Sequence, residues 1–398
     1  MKLFYSLSVQ LYVFAIHLSS LWNSKAKKWV SGRKDVWQKI ETFKRDDELS
    51  LYWFHCASLG EFEQGRPVIE ALKEKENCQI IITFFSPSGY EIRKNYEVAD
   101  LIVYLPKDSA SNAKRFLNHF KPQAVFFVKY EFWANYLFES KRVGAKLYLV
   151  SGVFRKGQIF FKGYGGFMRK VLNAFDTIFV QNQASKDLLS TINVESVLSG
   201  DTRFDRVMSN AEKVIQYDDV KEFVGTKKVF ILGSVWGDDL EAVMSSVNLL
   251  DKGWKVIIAP HEIKDEFIGQ IESRIEKKYS RYSSLEVNSE VLIIDNIGML
   301  MNLYQYADIA YVGGAFRTGL HNILEPAAFA SPVIFGPLTD KFPEAKVFIE
   351  ARVGFQISSE TEFKEVFQRL ISQDLKDHIW NFMNSQRGAT QVILERLD

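Results

Sequence analysis

Little in this sequence points to metal, disulfide or nucleic-acid chemistry. There are two cysteines, Cys56 and Cys78, in 398 residues. They carry no metal-ligand spacing, and they read as thiols of a reducing compartment rather than as a disulfide framework. The six histidines are scattered, with no HExxH-type cluster, which argues against a protein-bound zinc site. Lys plus Arg (50) balances Asp plus Glu (49), so no charge excess marks the chain for nucleic acid. No DxD closes an apolar run. Asp238-Asp239 falls inside a predicted helix and reads as a solvated face, so the spacing implies no divalent metal. Internal repeats and low-complexity tracts are also missing.

What is plentiful is apolar. Hydrophobic residues make up 47% of the chain and phenylalanine alone numbers 32, as suits thick cores or contact with lipid. The length allows two domains of ordinary size. The apolar residues concentrate first in residues 1–22, MKLFYSLSVQLYVFAIHLSSLW, followed by Lys25, Lys27, Lys28, Arg33 and Lys34. A spanning helix needs roughly 20 apolar residues, and this run only just reaches that length. Ser6, Gln10, His17 and Ser20 give it a weak polar stripe, which suits a helix lying in the bilayer interface as well as one crossing it. Its cationic flank is expected on the cytoplasmic side, against anionic headgroups. A soluble amphipathic helix packed on the domain is the alternative; a cleaved signal peptide lacks a small-x-small site.

From residue 51 onward, apolar runs alternate with helical stretches. Runs at 51–54, 80–85, 101–105, 124–128, 146–150, 177–180 and 196–198 predict strands, with helices such as 63–75 and 110–120 between them. A polar stretch at 209–219 interrupts the pattern. It restarts with strands at 229–232, 255–259, 291–294, 309–312 and 333–335. This is the order of a doubly wound parallel sheet, given twice. The expected organisation is an anchor and basic flank at 1–34, a Rossmann-like domain at 35–210 and another at 211–398. Ligands belong at the carboxyl ends of such strands, between the two halves.

The strand ends carry the chemistry. After 51–54 comes HCASLGE, a glycine turn and then a helix whose first turn holds Glu61. A carboxylate is favoured there by the helix dipole, and it can act as a general base towards an alcohol. After 80–85 comes the hydroxyl-rich turn SPSG. After 124–128 comes KYEFW, with Glu131 among large aromatics, and after 196–198 comes GDTRFD, with Arg203. In the second half the strand ends carry Gly233-Ser234, Pro260-His261-Glu262 and Gly298. The block 308–344, DIAYVGGAFRTGLHNILEPAAFASPVIFGPLTDKFPE, predicts strand, glycine turn, a helix at 323–330 capped by Asn322, and strand. Free N–H groups at that helix start would suit a phosphate, and Glu325 one turn in would suit ribose hydroxyls.

Together HCASLGE, SPSGYE, KYEFWAN, SGVFR, GDTRFDR, APHE and the GGAFRTGLHNILEPAAFASPVIFGP block resemble the 3-deoxy-D-manno-octulosonic acid (Kdo) transferases of lipopolysaccharide assembly. The likeness covers most of the chain, in family order. It implies a membrane-associated glycosyltransferase of GT-B architecture, moving Kdo from CMP-Kdo to a lipid A precursor at the cytoplasmic face of the inner membrane, without a metal cofactor. It implies that Glu61 is the proton acceptor and that Glu131 and Arg203 stabilise the transition state. CMP contacts would fall on Pro260, His261, Ile297, Gly298, Met299, Asn322, Ile323, Leu324 and Glu325. This chain departs from many members at Arg203, where Lys is usual, at Pro260 (Arg) and at Met299 (Glu). An ammonium and a guanidinium differ in geometry, and the other two changes leave backbone or packing as the only contact. The basic aromatic stretch 155–170, RKGQIFFKGYGGFMRK, is expected to hold lipid A phosphates while its phenylalanines touch the membrane. Two other functions fit the same pattern: a GT-B enzyme with a UDP-sugar donor, and a sugar-nucleotide epimerase.

Overall fold

A computed structural model describes residues 2–317 and 319–397; Thr318 of the glycine-turn block lies outside the described residues, as do Met1 and Asp398. The chain divides into two compact units, Met1–Arg206 with Arg387–Asp398, and Val207–Gln386. The first contains seven parallel strands: β1 (Ser50–Cys56), β2 (Cys78–Phe84), β3 (Leu101–Tyr104), β4 (Ala124–Val128), β5 (Lys146–Gly152), β6 (Thr177–Val180) and β7 (Val197–Leu198). Their order is β3-β2-β1-β4-β5-β6-β7. The central strands are buried on both faces, as Phe54, Ile81, Phe126 and Leu149 are, which is why they read as continuous apolar runs.

The second unit contains β8 (Lys228–Val235), β9 (Trp254–Pro260), β10 (Tyr279–Arg281), β11 (Val291–Ile293), β12 (Ile309–Val312), β13 (Val333–Phe335) and β14 (Gly354–Gln356), ordered β10-β11-β9-β8-β12-β13-β14 and again parallel. Both sheets therefore reverse direction of winding once, beside the first strand of each. That is between β1 and β4 in one unit and between β8 and β12 in the other. Loops leave such a point to opposite sides and open a crevice at the carboxyl ends.

Several expectations are corrected. The helix expected at 63–75 is Leu59–Lys75, so it begins before Glu61. The polar stretch at 209–219 is entered by the helix Thr202–Glu212, and a further helix starts at Asp218. The helix expected at 323–330 is the single turn Leu324–Ala327. The strand pattern also missed β10 and β14, the edges of the second sheet. The closing segment Arg387–Asp398, expected with the donor domain, belongs to the first unit. Asp205 holds it there, accepting from Gly388 N–H at 2.6 Å and Thr390 N–H at 2.7 Å, and Ile393 is fully buried in the first core.

The N-terminal segment forms two helices, Lys2–Ser19 and Ser24–Ser31. Among the described residues no single helix is long and apolar enough to cross a membrane, though residues 3–19 and 24–42, bent by 117°, reach the required length and composition together. The first helix docks on the unit through Tyr5 and Val9 and leaves Leu3, Leu7, Leu11, Phe14 and Leu18 exposed. This spacing places the five on one side of the helix. Arg33 does not belong to the exposed cationic flank. Its guanidinium donates to the carbonyls of Leu105, Trp29 and Phe85 and sits 3.7 Å from the Trp29 ring centroid. Burial pushes its pKa down to about 9. In the stretch 155–170, Phe160 is buried against Phe132 and Phe154, and Arg169 donates to the Phe160 and Lys162 carbonyls, so neither serves a free lipid-facing loop.

Candidate active site

In the first unit the winding reversal brings together the residues that follow β1 and β4. The glycine turn after β1 leads into Leu59–Lys75, with Glu61 in the first turn and Ser58 Oγ donating to Glu61 Oε2. The Ala57 carbonyl accepts from Ser86 N–H at 2.7 Å, which draws the turn after β2 alongside. Glu61, Ser58, Ser86, Ser88, Lys25 and Trp29 are among the walls of a cavity of about 510 Å³, roofed in part by the two N-terminal helices.

Glu131 follows β4, beyond Lys129, whose φ of 67° turns the chain sharply. Its carboxylate accepts from the Trp133 indole N–H and lies 3.2 Å from His55 Nε2. His55 is fully buried on β1, and its Nδ1 is 2.8 Å from Thr83 Oγ1, which in turn accepts from Trp53 Nε1 at 2.9 Å. With hydrogen on Nε2, Thr83 donates to Nδ1 and Nε2 donates to Glu131, while the Trp133 indole N–H, 3.1 Å from Nε2, is left to Glu131. Strand pairing makes this possible, since His55 is opposite Thr83 on β2 and Phe127 on β4. A buried chain of polar groups thus aims one carboxylate. Burial, and after it the nearby charges of Glu61, Glu63 and Glu131, push the Cys56 thiol well up, so Cys56 is a protonated core residue.

Arg203 stands at the start of Thr202–Glu212. Asp201 accepts from its Nη2 at 2.6 Å and its Nε at 3.0 Å. The neighbouring Thr202 Oγ1 donates to the Gln64 carbonyl at 2.6 Å, which fastens this segment to the Glu61 helix. Glu63 on that helix pairs with Arg93 at 2.7 Å and with Arg206.

In the second unit the reversal lies between β8 and β12, and aromatic and polar side chains gather at the ends of β8, β9 and β12. His261 follows β9 and stacks between Trp236 (4.2 Å) and His321 (4.4 Å). Trp236 Nε1 donates to His321 Nε2 at 3.0 Å. Burial lowers both imidazole pKa values, with Glu262 opposing this at His261; the proximity of His261 adds to the effect at His321, which falls to about 4. Near neutrality the pair therefore offers N–H groups and lone pairs rather than cations.

Asp239, expected on a solvated face, is fully buried. It accepts from Trp236 N–H at 2.8 Å, Gly314 N–H at 2.9 Å and the Tyr311 hydroxyl at 2.7 Å, and so joins the β8 and β12 loops. Burial raises its pKa, and those hydrogen bonds oppose the rise. At Gly314 (φ 96°) a Cβ would run into the Gly319 carbonyl and come 2.8 Å from His321, so glycine lets the turn close and the imidazole lie against it.

The expected donor contacts differ in what they can offer. Asn322 Oδ1 accepts from Leu324 N–H at 3.2 Å and its Nδ2 donates to Glu325 Oε1 at 2.9 Å, so the two polar side chains are held together. Ile323 and Leu324 are core residues with no exposed side chain. Met299 is buried, Gly298 has a φ of 99°, and Ile297 is 91% exposed. The sequence pattern does not mark Trp236, Asp239 or His321 as site residues. The only local signal for His321 is its place before Asn322 in the glycine-rich block.

Residues 33–206 match the family described as 3-Deoxy-D-manno-octulosonic-acid transferase (kdotransferase). A 3-deoxy-D-manno-octulosonic acid transferase of Aquifex aeolicus is 30% identical over 329 residues, covering 80% of this chain and 86% of that one. Among solved structures, a UDP-GlcNAc 2-epimerase from Neisseria meningitidis superposes with a TM-score of 0.62 at 16% identity, over 87% of this chain and 98% of that one. Acinetobacter baumannii MurG gives 0.57 at 12% identity, over 87% and 98%. At these identities the two structural likenesses concern the fold alone.

Proposed function

From the premise that the chain belongs to the Kdo transferase family, with two parallel-sheet α/β units resembling GT-B glycosyltransferases, we propose that it moves Kdo with inversion from CMP-Kdo to a lipid A precursor, lipid IVA, with Glu61 as general base. The observation that carries this reading is the place of Glu61. It follows the strand at the winding reversal and lines a cavity of about 510 Å³ beneath a helix with an exposed apolar side. There its carboxylate takes the proton of the acceptor hydroxyl as that oxygen bonds to the anomeric carbon and the bond to the CMP phosphate breaks. Arg203 and Glu131 stabilise the transition state, and the imidazole N–H of His261 is a donor suited to the CMP phosphate. Asn322 and Glu325 hold the ribose end of CMP, while Pro260, Ile297, Gly298, Met299, Ile323 and Leu324 contribute backbone or packing. No metal is assigned a part.

The reading includes the cytoplasmic face of the inner membrane. Its support is the exposed apolar row Leu3, Leu7, Leu11, Phe14 and Leu18, followed by Lys25, Lys27 and Lys28. The test is incubation with CMP-Kdo and a tetraacylated lipid A precursor, with the product weighed, beside parallel reactions supplied with UDP-sugars. Glu61→Gln keeps size and polarity but cannot take the proton, so transfer should fall by about 10² to 10⁴ with melting temperature and CMP binding retained. Near-wild-type turnover of that variant would remove Glu61 from the role, and product from UDP-sugars alone would overturn the donor.

A further inference from the structure

The helix that follows Glu131 has no cap of its own. Ala134–Arg142 starts behind Trp133, whose side chain makes no cap bond and whose indole N–H is committed to Glu131. The first N–H groups of a helix lack partners within it, and here three of them are met by residues far away in sequence. The Tyr5 hydroxyl accepts from Ala134 N–H at 3.0 Å, and Asp108 accepts from Asn135 and Tyr136 N–H, each at 3.3 Å. Tyr5 also donates to Asp108 Oδ2 at 2.5 Å, so hydroxyl and carboxylate work as one cap, with the negative group at the positive end of the helix. Asp108 is buried, which ties its hydrogen bonds to a single geometry. A second path runs beside this one. Tyr12 stacks on Phe85 with centroids 6.0 Å apart, and Phe85 stacks on Trp133 at 5.2 Å. Both tyrosines belong to the N-terminal helix Lys2–Ser19, and both paths end within three residues of Glu131.

We propose that Tyr5, acting with Asp108, positions the loop that bears Glu131, so that the helix offered to the membrane is also a working part of the transfer site. The inference rests on the reading of Glu131 as a transfer residue. Tyr5 is a positioning residue, since it acts through the start of the helix Ala134–Arg142 and not on substrate. Withdrawing the N-terminal helix would free the Ala134 N–H and unseat Asp108 together, and the carboxylate three residues away would lose its fixed direction.

The test uses the full-length protein in vesicles of anionic lipid, with Tyr5→Phe, Glu131→Gln and the double variant. Tyr5→Phe keeps the ring and its packing and removes only the hydroxyl. It should lower kcat for Kdo transfer by about tenfold or more, because small misplacements of a catalytic group are costly, while KM for CMP-Kdo and flotation with vesicles stay as in the wild type. In the Glu131→Gln background the same change should add little further loss. Wild-type kcat in Tyr5→Phe overturns the inference, as do losses that multiply in the double variant or a fall in kcat that follows a fall in flotation. If Glu131→Gln alone turns over normally, the reading of Glu131 has failed and the inference falls with it. That outcome is told apart because it shows in the single variant.

Discussion

The stacked imidazoles of the second unit make a quantitative prediction about acid. His321 has its pKa lowered from 6.5 to about 4 by burial and by the His261 ring 4.4 Å away. The unfolded chain therefore binds this proton more readily than the folded one. Stability is complete above pH 6.5 and is lost as the pH falls through 6.5 towards 4. For such a pair of values the loss between pH 7 and pH 5 is about 2 kcal/mol. The ring keeps some contact with water, and screening brings the figure to roughly 1 kcal/mol. In a unit the size of Val207–Gln386 that is a shift of roughly 2–4 °C in Tm. The groups facing the ring are His261, whose own pKa is lowered, and the Trp236 indole N–H, with Glu262 acting on His261. The assay is the thermal midpoint of wild type and His321→Asn at half-unit steps between pH 7.5 and 4.5. The variant loses packing at every pH, so only the slopes are compared, and the wild type should fall more steeply on acidification. His261→Asn should make that slope shallower, because without its neighbour the His321 ring takes up its proton more readily in the folded chain. Parallel curves for wild type and His321→Asn would refute the reasoning.

Asp239→Ala leaves the N–H groups of Trp236 and Gly314 and the Tyr311 hydroxyl without their acceptor. Urea unfolding should show a loss on the order of 3–5 kcal/mol, and less than half of that for Asp239→Asn; a loss under about 1 kcal/mol for Asp239→Ala would count against the buried network. Glu325→Ala should weaken CMP binding, measured by calorimetry, by about 1.5–3 kcal/mol, and unchanged affinity would take Glu325 out of the donor site. Deleting residues 1–22 should move the protein from the membrane to the soluble fraction, and recovery of the full-length protein without detergent or high salt would defeat the membrane reading.

Much of the architecture could be read directly because parallel strands buried on both faces are continuous apolar runs bounded by turn residues. β4, β6, β12 and β13 have the predicted bounds. The two overlooked strands are edges of three residues each, Tyr279–Arg281 and Gly354–Gln356, whose identity depends on pairing with β11 and β13 rather than on their own composition. Glu61, Glu131, Arg203 and His261 could be singled out because each follows a strand closely, and chain order then places it at a carboxyl end. Asp239 could not. A helical Asp next to another Asp reads as solvated, and what buries it is a donor 75 residues away at Gly314. Tyr5 escaped for the same reason, with a partner 129 residues distant at Ala134. Arg33 sat among lysines and looked like them, until three carbonyls and an indole ring took it out of water.

The return of Arg387–Asp398 to the first unit sets an order of manufacture. Synthesis proceeds at about 5–20 residues per second, so on the order of ten to forty seconds pass between Arg206 leaving the ribosome and Ile393 following it. Through that interval the nascent sheet of the first unit waits with the seat of Ile393 unfilled, and Asp205 waits for the N–H groups of Gly388 and Thr390. The unit begun first is thus finished last, and its apolar seat stays open to water until Ile393 arrives. A nascent chain held with Gln386 just clear of the ribosome would present a complete second unit and an unfinished first one.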